Sequence, residues 1–244
     1  MDDDAGLLSV VVPACNEAGN VEPLALEVAA ALRARIRFEL IFVDDGSTDA
    51  TAEEARAVRR QVPEVRVLRH SRRGGQSAAL ATGVHAARGA WVATLDGDGQ
   101  NDPADIPALL AARDRAVDPA LLLVMGNRVT RRDSRLKRIS SRVANAVRGR
   151  LLGDCTPDTG CGIKLMHRPT FLALPYFDHM HRFLPALYRR QGAQVVSEPV
   201  NHRPRTRGTS KYGLHDRLWV GIVDMFGVLW LTARFRPGLV VTEE

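Results

Sequence analysis

Five short apolar runs, each followed by a segment of helix length, constrain this 244-residue chain more than any other feature. They are Leu7–Val12, Phe38–Val43, Val65–Leu68, Trp91–Leu95 and Leu121–Met125, and most are rich in Val, Ile and Leu. Apolar runs of that length, without polar alternation, read as strands buried on both faces. The intervening stretches are expected to be helical. One is capped by Asn20 and runs to about Arg35, and another goes from Thr48-Asp49 to about Gln61. Two more cover Gln76 to Ala87 and Asp105 to Ala116. Such alternation implies βαβ units. The expected class is therefore α/β, a mostly parallel central sheet flanked by helices.

In open parallel sheets, ligands bind beyond the carboxyl ends of the strands. Polar residues gather at those ends here: Asn16 and Glu17, Asp44 and Asp45, Asp96 and Asp98, Asn127 and Arg128. In Leu95-Asp96-Gly97-Asp98-Gly99-Gln100-Asn101-Asp102-Pro103 a buried strand runs straight into two carboxylates separated by one glycine. Carboxylates crowded in this way repel one another, and a divalent cation relieves the cost. Mg2+ or Mn2+ is held by a few protein oxygens plus substrate phosphates, so the segment reads as a metal–diphosphate site. Taken alone it also fits a polar turn with a helix cap. No Gly-x-Gly-x-x-Gly follows the first strand and no Gly-Lys-Ser/Thr occurs, so dinucleotide and P-loop readings lose their support.

Composition adds bounds. Hydrophobic content of 45% and charge of 25% suit one globular domain with a sizeable core. Three cysteines (Cys15, Cys155, Cys161) are too few for a disulfide framework, which points to a reduced, cytoplasmic setting. The chain begins Met-Asp-Asp-Asp, so no signal peptide is expected, and no apolar run approaches the ~20 residues of a bilayer span.

With these residues in place, the chain resembles the family 2 glycosyltransferases of the GT-A (Rossmann-like) fold. Within them it is similar to the polyprenyl-phosphate, dolichol-phosphate mannosyltransferase-like branch. The resemblance rests on Val-Val-Pro-Ala-Cys-Asn-Glu (11–17), Val-Asp-Asp-Gly-Ser-Thr-Asp (43–49), Gly-Gln-Ser-Ala-Ala-Leu (75–80) and Leu95–Pro103. Asp-Thr-Gly-Cys-Gly-Ile-Lys-Leu-Met (158–166), His-Arg-Phe-Leu-Pro-Ala-Leu (181–187) and His-Arg-Pro-Arg…Gly-Thr-Ser-Lys-Tyr-Gly (202–213) continue it in the family's order. It implies that Pro13, Asn16, Glu17, Asp44 and Asp45 line the nucleotide pocket. Asp96 and Asp98 would match the family's Asp-x-Asp motif, with Gln100 a further metal ligand and Asp98 the surest. Gln76 stands where relatives carry Asn or Lys and is assigned to the donor side. The expected organisation is a catalytic domain over residues 1–213, its nucleotide-sugar half ending near 128, then an apolar interfacial helix and tail over 214–244.

The positive charge is local. Nine Lys/Arg and one acidic residue lie between Arg128 and Arg150, against a formal +6 for the whole chain. From Arg135 to Leu152, apolar residues recur at helical spacing beside the basic stripe Arg135, Arg138 and Arg142. A basic amphipathic helix suits an anionic membrane surface; the same pattern also fits a core-facing helix with a solvated face. Nucleic acid is disfavoured because the segment has no aromatic stacking platform. In the resemblance this helix carries the acceptor site, with Arg128, Lys137 and Ser141 holding a polyprenyl phosphate. Lys137 and Ser141 are i and i+4, on one helix face.

Three further residues are candidates. Asp158 would act as base or, since a phosphate acceptor is already anionic, as a positioning residue; an Asx-turn role fits too. Arg182 is the candidate for neutralising the leaving diphosphate, while His181 alone fits a structural histidine. Lys211 lies with Arg203, Arg205, Arg207 and Ser210 in a basic loop that would close over the diphosphate, or be a plain surface loop.

Leu218 to Leu231 is apolar, has Trp219 and Trp230 near its ends, and suits an interfacial helix. Packing on the domain, a second copy or a membrane-protein partner would also use it. The leading expectation is a Mg2+- or Mn2+-dependent inverting transferase. It would move a sugar from a nucleotide diphosphate sugar to a polyprenyl phosphate, working peripherally at the inner face of the plasma membrane in cell-envelope glycan synthesis. The rivals are direct transfer to a glycolipid or saccharide, and a non-catalytic nucleotide-sugar-binding scaffold.

Overall fold

The computed structural model describes residues 6–129, 148–154, 156–204 and 214–236. Within them lie strands β1 (Leu8–Ala14), β2 (Phe38–Asp44), β3 (Val65–Arg69), β4 (Trp91–Thr94), β5 (Leu122–Arg128), β6 (Lys164–His167) and β7 (Gln194–Val200). They form one sheet in the order β3-β2-β1-β4-β6-β5-β7. Neighbours run parallel except at β6, which is antiparallel to both β4 and β5.

The strands are apolar on both faces because helices cover both. Leu8, Val10, Val12, Leu40 and Phe42 face the core shared with α1 (Val21–Leu32) and α4 (Ile106–Asp114), to which α2 (Thr51–Ala57) adds Ala55. The alternate residues Val11, Ile41 and Val43 face α3 (Gln76–Ala86), α5 (Arg168–Leu172) and α6 (Leu184–Arg190). Each such side chain contributes roughly 1.5–3 kcal/mol on full burial. Gly83 sets the closeness of α3 to the sheet, since a Cβ there would run into Val11 and Val43.

All five expected strands are present, and three boundaries matter for the site. β5 continues to Arg128, so Asn127 and Arg128 end the strand instead of following it. Asn20 does not cap α1 with its side chain; its backbone is already helical, and its amide donates to Glu17 Oε2 at 2.8 Å. Likewise α2 starts at Thr51, because Asp49 accepts the Thr51 N–H at 3.0 Å and holds the preceding residues in a turn. β6 and β7 have no counterpart in the sequence reading. β6 is four residues long and opens on a lysine, whereas β7 is a half-exposed edge strand containing Pro199, where proline is tolerated.

The expected basic helix falls mostly outside the described residues; its end appears as helical residues 148–152. The C-terminal helix α7 (Leu214–Ala233) is longer than the apolar stretch suggested. It docks through buried Val228 and through Arg190, whose Nε donates to Leu231 O at 3.1 Å. Val220, Val223, Phe226 and Trp230 are exposed. Among the described residues no helix is long and apolar enough to cross a membrane.

Candidate active site

The strand ends converge as the parallel topology requires. After β4, Asp96 takes its backbone N–H to Asn101 Oδ1 at 2.8 Å, and Asp98 Oδ1 accepts the Gln100 N–H at 3.1 Å. This closes residues 96–101 into a tight turn that holds both carboxylates at the strand end. Gln76, the first residue of α3, donates its amide to Asp96 Oδ1 at 3.0 Å. Burial first, then the Asp98 charge, pushes the Asp96 carboxyl above the ordinary carboxylate range, against Lys164, Arg128 and the Gln76 hydrogen bond.

Beyond β1, Asn16 has φ 52° and its Oδ1 accepts the Thr48 N–H at 2.8 Å. That bond, with the Glu17 N–H donated to Thr51 Oγ1 at 2.8 Å, fastens the loop after β1 to the loop after β2. Asp44, buried at the end of β2, accepts the Ser47 N–H and lies 3.0 Å from Arg69 Nε. Asp45 is more fully engaged: its oxygens accept the Gly74 and Gly75 N–H groups at 2.7 and 2.8 Å, and His70 Nδ1 lies 2.7 Å away. Pro13 ends this group, its carbonyl against Gly97.

The other wall is built by residues 158–162. Asp158 is buried and grips Arg128 in bidentate fashion, Oδ2 to Nε at 2.6 Å and Oδ1 to Nη2 at 2.7 Å. Burial opposes the Arg128 charge, but the hydrogen bonds and charge of Asp158 outweigh it and hold the guanidinium above its ordinary range. Two residues assigned separate roles from sequence are thus one unit. Gly162 is the seam. Its carbonyl accepts from Thr94 Oγ1 at 2.6 Å, and a Cβ on it would collide with the Asp96 carboxylate and the Asn101 amide.

Lys164, quoted in the 158–166 motif but given no role there, is buried just beyond, with Nζ on the Cys161 carbonyl. Burial lowers its pKa, opposed by the charges of Asp96 and Asp158. Its signal in the sequence is a lysine inside the apolar run Ile163-Lys164-Leu165-Met166. Asn101 was also given no role, being only one polar residue of the Leu95–Pro103 run.

Arg182 lies in the turn Met180–Arg182, beside α3, and its charge reaches Asp224 of α7. After β7, Arg203 ties the chain back to the 96–101 turn by donating to Asn101 O at 2.8 Å and to Glu27 at 2.6 Å. Gln100 turns its amide nitrogen toward Arg203 O at 3.4 Å. Lys137, Ser141 and Lys211 lie outside the described residues.

The donor set suits a divalent cation. Asp96 and Asp98 offer hard carboxylate oxygens whose mutual repulsion a cation would offset. No group of three or more His, Cys, Asp or Glu exists among the described residues that could cage an ion. The remaining ligands would come from an amide, water or a phosphate, the usual habit of Mg2+.

Residues 9–173 match the model of glycosyl transferase family 2. The chain belongs to that family. The transferase is 39% identical over 237 residues to a dodecaprenyl-phosphate galacturonate synthase of Rhizobium johnstonii, covering 95% of this chain and 69% of the relative. It is 34% identical to an undecaprenyl-phosphate 4-deoxy-4-formamido-L-arabinose transferase of Edwardsiella ictaluri, over 85% of this chain and 63% of the relative. This glycosyltransferase therefore spans about two thirds of the length of either. Its fold is also that of a Mycobacterium tuberculosis glucosyl-3-phosphoglycerate synthase, solved with Mn2+ and UDP. The TM-score is 0.68 at 20% identity, over 95% of this chain and 81% of that one. The GT-A fold and the mostly parallel sheet expected from sequence are thus borne out.

Proposed function

We propose that this transferase moves a sugar from a nucleotide diphosphate sugar to a polyprenyl phosphate at a membrane surface. The observation that carries the reading is the contact at Gly162. It sets the carboxylate pair Asp96 and Asp98 beside the buried Arg128–Asp158 unit. An anion-binding wall next to a metal–diphosphate wall brings an acceptor phosphate and a sugar carbon into one site, and positioning of that kind supplies much of a displacement's barrier reduction. The two relatives, named for polyprenyl-phosphate sugar transfer, support the choice of acceptor.

In this reading Asp96 and Asp98 hold Mg2+ or Mn2+, with Gln100 beside them. The ion supplies charge neutralisation for the departing diphosphate. Pro13, Asn16, Glu17 and Asp44 border the nucleotide pocket, and Asp45 shapes it by fixing the Gly74-Gly75 backbone. Arg128 receives the acceptor phosphate, joined by Lys137 and Ser141. Asp158 orients the Arg128 guanidinium, a task that fits its two short hydrogen bonds better than proton removal. Arg182 adds positive charge on the diphosphate side, and Lys211 closes over it. Val223, Phe226 and Trp230 on α7 meet the lipid surface, together with the basic segment after Arg128, at the cytoplasmic face.

Radiolabelled UDP- and GDP-sugars offered with undecaprenyl phosphate and Mn2+ or Mg2+ test this. Transfer of label to lipid is expected with one donor class. Tight nucleotide-sugar binding with no transfer to any lipid would leave a binding scaffold instead.

A further inference from the structure

The first residues of α3 are held from two sides. On one, Asp45 accepts the Gly74 and Gly75 N–H groups. On the other, the fully buried Ser77 hydroxyl lies 2.7 Å from His181 Nδ1 and accepts the His181 backbone N–H at 3.3 Å. Between these anchors stands Gln76, whose amide reaches Asp96 Oδ1 at 3.0 Å.

Ser77 Oγ and His181 Nδ1 close a 2.7 Å hydrogen bond, and the same Oγ accepts the His181 backbone N–H, so two contacts fix the hydroxyl. Burial first, then the positive charges of Lys164, Arg182 and His179, hold the imidazole neutral, with its pKa pushed down to about 3. His181 differs in this from its neighbour Arg182. What it offers α3 is one ring nitrogen and no charge.

We propose that Ser77 and His181 are a positioning pair for the donor carboxylate: Nδ1 fixes the Ser77 hydroxyl, Ser77 fixes the start of α3, and the Gln76 amide is thereby held on Asp96. Partners one step removed from a metal ligand set its orientation, and their loss typically costs about 10–100-fold in metal affinity. The proposal rests on reading Asp96 and Asp98 as the metal–diphosphate site.

Calorimetric titration of Mn2+ with UDP and with GDP, without acceptor, tests the pair directly. Ser77→Ala and His181→Ala are each expected to weaken Mn2+–nucleotide binding about tenfold. His181→Asn, whose Oδ1 falls where Nδ1 sits, is expected to keep most of the affinity. On a Gln76→Ala background, Ser77→Ala is expected to cost nothing further, because the two changes break one chain of contacts. A His181→Asn variant as weak as His181→Ala, or a full additional loss from Ser77→Ala on Gln76→Ala, overturns the proposal. Asp98→Ala, run alongside, separates the levels. Wild-type binding in Asp98→Ala takes down the site reading and the pair together. Loss in Asp98→Ala with none in Ser77→Ala takes down the pair alone.

Discussion

The two sides of the sheet are built differently around one site. On the proposed donor side, β3, β2, β1 and β4 are all parallel, and each strand delivers its polar residues directly at its own carboxyl end. Asp44, Asp45, Asp96 and Asp98 are therefore placed by local chain geometry, and their turns close within a few residues, as Asp98 to Gln100 and Asp44 to Ser47 do. On the proposed acceptor side, β6 runs backwards between β4 and β5. Its reversal brings residues 158–162 to the same edge, so Asp158 meets Arg128 across thirty positions of chain. Local strands suffice to gather the carboxylates, whereas bringing Asp158 to Arg128 requires a long-range crossing.

The largest expected effect breaks the donor side. Asp98→Ala should reduce label transfer to lipid by about a hundredfold or more, the scale of losing charge stabilisation of a leaving group, and Mn2+–nucleotide binding should fall with it. An intact donor affinity in that variant would remove the basis for distinguishing the two walls. Gly162→Ala strikes the seam. Its methyl displaces Asp96 and Asn101, so Mn2+–nucleotide binding and the KM for lipid phosphate should both worsen. A change in one alone would mean that the walls are independent.

The acceptor wall can be tested by stability. Asp158→Ala leaves the Arg128 guanidinium buried without its partner and should cost about 3 kcal/mol in chemical unfolding. Replacing the pair as Arg128→Met/Asp158→Leu should recover much of that stability while transfer stays lost. Restored transfer in the double variant would deny the pair a part in acceptor binding. A smaller effect concerns α7: Phe226→Ser with Trp230→Ser should lower partition onto anionic vesicles and leave nucleotide binding unchanged.

The mildest effect is on pH. His181 is neutral when folded, with a pKa near 3, against an ordinary value of 6.5 in the unfolded chain. The unfolded state therefore binds the extra proton between those values. Stability from this group is complete above pH 6.5 and declines as pH falls toward 3. The His181→Asn chain lacks that slope, and parallel unfolding curves for the two across this range would show His181 to be solvated.

What the sequence settled by itself was the parallel half of the sheet. Its strands are apolar throughout and its motifs end them, so periodicity places Asp44, Asp45, Asp96 and Asp98 without any knowledge of packing. β6 and β7 stayed hidden, since a four-residue strand opening on Lys164 and an edge strand holding Pro199 carry little periodic signal. The resemblance assigned Asp45 to the nucleotide pocket, and only the fold reveals the glycine N–H groups that occupy it. The same holds for Gly162 against Asp96, for Arg128 in the grip of Asp158, and for Ser77 beneath His181. Each depends on segments far apart in the chain meeting at one sheet edge. Hydrogen-bond partners and desolvation are properties of that meeting, so tertiary structure alone decided them.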